Sequence, residues 1–228
     1  SDLCSAGGSA MTDTGHPTRP VQHRTITIAW LPRKPAQWRV FTACRRDAGD
    51  IWSRMVRIHG RVRRWQAQWC KRTEQPIAEC PWKLPAGPAF RRWAYQTRRR
   101  GQTFYRFPSL CSASTQAEIV EFEEACKAMW AKRKGAHAAT AKYPTRCMRY
   151  RDVTYSYAAA RIREGKLLLP NRQAGTLVVK LPRGFVEPGR FMEAQLRYGE
   201  VRLVYRVDIP AMPPGAIIGI DLNVNTLA

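Results

Sequence analysis

The hydrophobic pattern of this chain changes period twice, and that change limits the folds open to it. Thr25-Ile26-Thr27-Ile28-Ala29-Trp30 alternates at period two, as a half-buried strand does. Trp38-Arg39-Val40-Phe41 resumes after Leu31-Pro32-Arg33-Lys34-Pro35, so a second strand is expected across a proline-bounded turn. From Asp47 the apolar residues fall three or four apart instead. Ala48, Ile51, Trp52, Met55, Ile58, Val62, Trp65 and Trp69 form one face of a long helix. After Gly135 the alternation returns. Strands on both sides of a helical stretch can belong to one β domain if the helices are an insertion into it, so discontinuous domains are expected.

Breakers run from Pro76 to Pro88, followed by the short, aromatic and very basic stretch Phe90 to Arg100 and then Gly101. A second helix is expected after Ser114, burying Ile119, Phe122, Cys126 and Met129. Its first half carries Glu118, Glu121, Glu123 and Glu124 and its second half Lys127, Lys132, Arg133 and Lys134, an order that suits the helix dipole. Val153 to Tyr157 alternates, and Glu164-Gly165 reads as a hairpin turn before Lys166-Leu167-Leu168-Leu169-Pro170. Leu177 to Leu181, Phe191 to Leu196 and Val201 to Val207 complete a set of short strands with Gly and Pro corners. The expected fold class is α+β, with a small antiparallel β-barrel interrupted by helices. The expected boundaries are a flexible lead-in over 1–23, barrel over 24–43, helical insertion over 44–142, barrel again over 143–209, a linker over 210–215 and a different element over 216–228.

Charge narrows the partner. Thirty-nine Lys and Arg face seventeen Asp and Glu, a formal +22. An excess of that size repels itself in the folded state, so a polyanion is the natural partner. Arg54, Arg57, Arg61 and Arg64 follow the helical spacing and form a cationic stripe flanking the buried face. A second cluster, Arg91, Arg92, Arg98, Arg99 and Arg100, interleaves with Trp93, Tyr95 and Tyr105, as stacking on bases and tracking of phosphates require. Lys132, Arg133, Lys134, Arg146, Arg149 and Arg151 extend the basic set. Trp38, Trp52, Trp65 and Trp69 are expected in the core. The seven cysteines contain no C-x-x-C pair, which argues against both a disulfide framework and a zinc site within 1–228. No signal-peptide pattern opens the sequence, and no stretch approaches the roughly 18 apolar residues of a spanning helix, so no membrane partner is expected.

The sharpest local feature is Ile218-Gly219-Ile220-Asp221-Leu222. Along a strand Gly219 and Asp221 point to one face and Ile218, Ile220 and Leu222 to the other. A carboxylate fixed on a strand beside a glycine can hold Mg²⁺ for phosphodiester hydrolysis. Such a site needs at least two further acids, and the seven residues after Asp221 contain none. Taken alone, an aspartate ending a hydrophobic strand is more often a turn or cap residue.

Lys142-Tyr143-Pro144, Tyr155-Ser156-Tyr157, the Glu164 to Pro170 turn and Gly219-Ile220-Asp221-Leu222, in that order, resemble the TnpB family of transposon-encoded RNA-guided nucleases and the related type V CRISPR effectors. The resemblance spans about residues 24–228 and is strongest from Lys142 onward. It implies a wedge barrel, an inserted helical recognition domain and the first strand of an RNase H-like RuvC nuclease domain. It further implies that Asp221 is the first RuvC carboxylate and a Mg²⁺ ligand. The remaining acids and the family's zinc ribbon are then expected beyond residue 228, and the fragment alone is expected to be inactive. The implied partners are a guide RNA and target DNA, both duplex and single strands, in the cytoplasm of a bacterial or archaeal cell. A short motif beside the target would be read by the protein and the sequence by base pairing. Asn223 stands where the family commonly has Gly, and Asn tolerates the left-handed backbone of such a turn. Two alternatives stay open. One is an RNA-guided DNA binder that cuts poorly. The other is a stand-alone structured-RNA-binding protein of ribosomal type, which accounts for the charge but not for Gly219-Ile220-Asp221 after the prolines.

Overall fold

The computed structural model describes residues 21–100, 102–134, 140–146 and 149–208. Residues 1–20, the linker and the Asp221 segment lie outside the described residues, while Val21–His23, expected in the lead-in, begin the first strand. Strand β1 spans Val21–Ala29 and helix α1 spans Pro35–Thr73. No second strand follows the proline turn. Pro35 occupies the first turn of α1, where its missing N–H costs nothing, and the N–H of Trp38 already donates to Lys34 O at 3.0 Å. Counted from there, Phe41, Cys44, Ala48, Ile51 and Met55 fall three or four apart and are buried. The Trp38–Phe41 run is therefore the first helical turn, and four residues were too few to separate the two periods. α1 ends at Glu74, whose left-handed φ of 57° lets its N–H cap Cys70 O.

A short helix α2 (Gly87–Tyr95) leads into a hairpin of β2 (Gln96–Arg99) and β3 (Gln102–Tyr105), with Arg100 at φ 48° in the turn. Helix α3 (Ser112–Arg133) buries Ile119, Phe122, Cys126 and Met129, the stripe its sequence predicts. Cys111 caps it, its Sγ accepting from the Ser114 N–H at 3.4 Å. The remaining strands are β4 (Val153–Ser156), β5 (Arg161–Arg163), β6 (Lys166–Asn171), β7 (Gly175–Lys180), β8 (Arg190–Leu196) and β9 (Glu200–Asp208). The β5–β6 hairpin turns on Glu164 and Gly165, both at positive φ, as the sequence predicts.

Two antiparallel sheets result, with strand orders β1-β9-β8-β4 and β5-β6-β7, beside the small β2–β3 hairpin. β1 pairs β9 along its whole length, from Val21 opposite Asp208 to Ala29 opposite Glu200. The three helices therefore lie, in sequence, between β1 and β4, the two edge strands of one sheet. Among the described residues none of the sheets closes into a barrel, contrary to the expectation from strand spacing. At β4 the outer edge is partly occupied. The Thr154 N–H donates to the Glu118 carboxylate at 3.2 Å and its hydroxyl donates to Glu121 at 2.6 Å. Side chains of α3 thus take a group that a further strand would otherwise pair.

The helices have no separate core. One cluster of buried residues joins Phe41, Cys44, Ile51 and Met55 of α1 and Phe122 of α3 to Tyr155, Leu167, Leu177, Leu203 and Tyr205 of the sheets. Fully burying such side chains contributes about 1.5–3 kcal/mol each before entropy is subtracted. The two sheets meet where the Tyr155 hydroxyl donates to Asn171 Oδ1 at 2.7 Å. At Gly189, just before β8, an added Cβ would lie 2.4 Å from Arg206 O on β9. Gly189→Ala is expected to force those backbones apart, lowering stability by about 1–3 kcal/mol in a denaturant titration.

Candidate nucleic-acid interface

The α1 stripe survives as a surface feature. Arg57, Arg61 and Arg64 are exposed, and Arg54 is half-buried with its Cζ 5.6 Å from the ring centre of Trp93. Among the described residues none of these four forms an ion pair. The Nε of Arg54 is buried and has no hydrogen-bond partner. Burial lowers its pKa, and the neighbouring Arg106 and Arg57 lower it further. The charges of Arg57 and Arg106 thus act on a partly desolvated Arg54 guanidinium, and none of the three forms an ion pair among the described residues. Trp93 is 52% exposed beside it, stacked on Phe90 at 5.8 Å, and Arg92 is exposed on the same short helix.

Several residues that the sequence grouped with this surface have structural partners instead. Arg91 grips Glu123 with Nε at 3.1 and 3.2 Å and Nη2 at 2.5 Å. Arg151 pairs with Glu118 at 3.2 Å and Glu121 at 2.9 Å, its guanidinium 3.7 Å from the Trp52 ring centre. Tyr95 is buried, and its hydroxyl accepts from Gln116 Nε2 at 3.0 Å, so it offers no face to a base. Tyr105 is exposed, but Arg172 lies 3.1 Å from its ring centre and also hydrogen-bonds the Ser112 hydroxyl. Arg98 and Arg99 belong to β2, and Arg100 is exposed in its turn. Lys132, Arg133 and Lys134 are exposed at the end of α3, with Arg133 5.2 Å from the Trp130 ring centre. Arg146 and Arg149 are exposed, Arg149 lying 5.2 Å from the Tyr150 ring centre.

The tryptophans divide. Trp52 packs edge-on against Phe122 at 5.3 Å and donates to Thr145 O at 2.8 Å, as a core residue should. Trp38 and Trp65 are exposed, against expectation, and Trp69 is half-buried. Arg63 and Arg106 were not singled out by sequence spacing. Arg63 lies 4.2 Å from the ring centre of Tyr143. That tyrosine is the centre of a buried polar knot, with its hydroxyl 2.7 Å from His59 Nδ1 and accepting from Cys126 at 3.4 Å. His59 Nε2 is 3.0 Å from Pro85 O, and burial lowers the pKa of the ring. This histidine is a packing residue with both nitrogens engaged.

Among the described residues no group of three or more His, Cys, Asp or Glu side chains could hold a metal ion. Asp221 lies outside the described residues. Cys44, Cys70, Cys80, Cys111 and Cys126 are free thiols, and burial pushes Cys44 up to about 12. No helix among the described residues is long and apolar enough to cross a membrane. No protein-family model matches the chain, and no curated protein matches it.

Proposed function

We propose that this chain grips a guide RNA and its DNA target as the recognition part of an RNA-guided DNA endonuclease. The observation that carries the grip is the uncompensated guanidinium group of Arg54, with Arg57 and Arg106 beside it and an exposed Trp93 in contact. A phosphate backbone would add to such an arrangement the charge partner that the Trp93 ring alone does not supply. Arg57, Arg61 and Arg64 continue it along α1 at about 1.5 Å of rise per residue, a straight track suited to successive phosphates. The shape of the bound heteroduplex, not its sequence, is what such backbone contacts read.

The nuclease part of the reading rests on the resemblance of Gly219-Ile220-Asp221-Leu222 to the first RuvC motif. On this reading residues 216–228 begin an RNase H-like domain and Asp221 supplies one carboxylate to Mg²⁺. The helices between β1 and β4 are its recognition insertion. The test is to sequence the RNA that co-purifies with the chain expressed in a cell carrying its native locus. One abundant species with a constant scaffold and a variable segment is the expected result. Ribosomal RNA alone would favour the stand-alone RNA-binding reading.

A further inference from the structure

The outer half of α1 carries a second aromatic feature, distant in sequence from Trp93. Trp65, Gln68, Trp69 and Arg72 are spaced i, i+3, i+4 and i+7, a pattern that ordinarily marks a buried helix face. Here they line an open cleft of about 280 Å³ whose far wall is Trp82. Trp65 is 44% exposed and Trp82 46%. The two indoles have centres 6.3 Å apart and planes at 52°, so they do not stack on each other. The loop bearing Trp82 is held in place. Buried Gln66 donates to Trp82 O at 2.7 Å, Lys83 donates to Ala78 O at 2.6 Å, and Cys80 is fully buried.

Resting on the reading of the chain as a nucleic-acid binder, we propose that this cleft takes one unpaired nucleobase from a single-stranded stretch of the bound strand. Its size, at the low end of the ~300–1,000 Å³ of small-ligand pockets, admits a single planar group. Two indole surfaces set at an angle give a base one face to stack on and an edge to abut. Gln68 offers both a donor and an acceptor to the base edge, and Arg72 offers a guanidinium to the adjoining phosphate. Lys71 and Arg72 in the last turn of α1, with Arg64 and Arg61 about two and three turns earlier, favour an anionic chain over a cationic or neutral peptide. The cleft thereby adds recognition of unpaired nucleotides to a helix whose other contacts are with phosphates.

The experiment compares binding of a single-stranded oligouridine and of a blunt RNA duplex with the same number of phosphates. Fluorescence anisotropy is read for wild type, Trp65→Ala, Trp82→Ala and Trp82→Phe. Loss of one stacking face should weaken oligouridine binding by about 5- to 150-fold and leave duplex binding nearly unchanged. Trp82→Phe keeps a ring and should recover much of the loss; it and Trp65→Ala also serve should Trp82→Ala fail to fold. Unchanged oligouridine affinity in folded variants, with Arg→Gln changes on α1 still weakening both ligands, would overturn the cleft proposal and leave the nucleic-acid reading standing. Wild-type protein that binds neither RNA would remove that reading and the cleft's occupant together. Polyglutamate that quenches tryptophan fluorescence as strongly as oligouridine, and is sensitive to the same variants, would make this a polypeptide site and overturn the proposal.

Discussion

Arg151→Ala is expected to destabilise the fold by about 3 kcal/mol while leaving the RNA affinity of the folded protein nearly unchanged. Arg151 sits between β4 and α3. It bridges Glu118 at 3.2 Å and Glu121 at 2.9 Å, lies over Trp52, and its N–H donates to Arg45 O at 3.0 Å. Glu118 is fully buried, and burial first, then the Glu121 carboxylate, pushes its pKa from 4.5 up to about 8, with Arg151 opposing the rise. Removing the guanidinium leaves two acids facing each other around the backbone of Thr154. Because the folded pKa lies above the unfolded one, the group favours the fold most below pH 4.5, and that contribution is lost as pH rises through about 8. The cost of Arg151→Ala should therefore be larger at pH 8 than at pH 5. Adding Glu118→Gln should restore part of the loss at pH 8. Thermal melts of the three proteins at both pH values check this, and a change within about 0.5 kcal/mol would return Arg151 to the ordinary surface class.

Replacing Arg54, Arg57, Arg61 and Arg64 together by Gln is expected to lower RNA affinity on the order of 100-fold at physiological salt. Gln keeps the helix propensity of Arg, and none of the four side chains holds an ion pair among the described residues. At Arg54 the change also removes a desolvated cation crowded by Arg57 and Arg106, so the melting temperature should hold or rise. Matched anisotropy and melting curves give both quantities. Retained affinity would make the stripe a solvated face and nothing more.

Periodicity carried the parts of this fold that bury one face at a time. Ile26 and Ile28 in β1, the Ile119 to Met129 stripe of α3 and the Val201, Leu203 and Tyr205 alternation of β9 all point inward as their spacing predicts. The start of α1 was hidden because Trp38 to Phe41 is too short to choose between two periods. The β2–β3 hairpin was hidden for the opposite reason: Gln102–Tyr105 is exposed on both faces, so it had no pattern to read. Barrel closure was out of reach because it depends on how edge strands meet groups far away in sequence, as where the Thr154 N–H of β4 donates to Glu118, 36 residues upstream. The same non-locality decided the candidate site. Arg91 looks like its neighbours in sequence, and only the fold places Glu123, 32 residues on, beneath it. Arg54 shows the converse, since nothing local reveals that its Nε is buried without a hydrogen-bond partner.

The measurement that bears most directly on the grip is the salt dependence of RNA affinity for the unaltered chain. Each phosphate neutralised adds about 0.9 to the log–log slope on duplex and about 0.7 on single strands. The four stripe arginines alone should give a slope of about −3 to −4 between about 50 and about 200 mM salt, made shallower by about that amount when all four are Gln. An affinity that stays flat across that range, or a slope untouched by the four substitutions, would contradict a phosphate-gripping surface on α1.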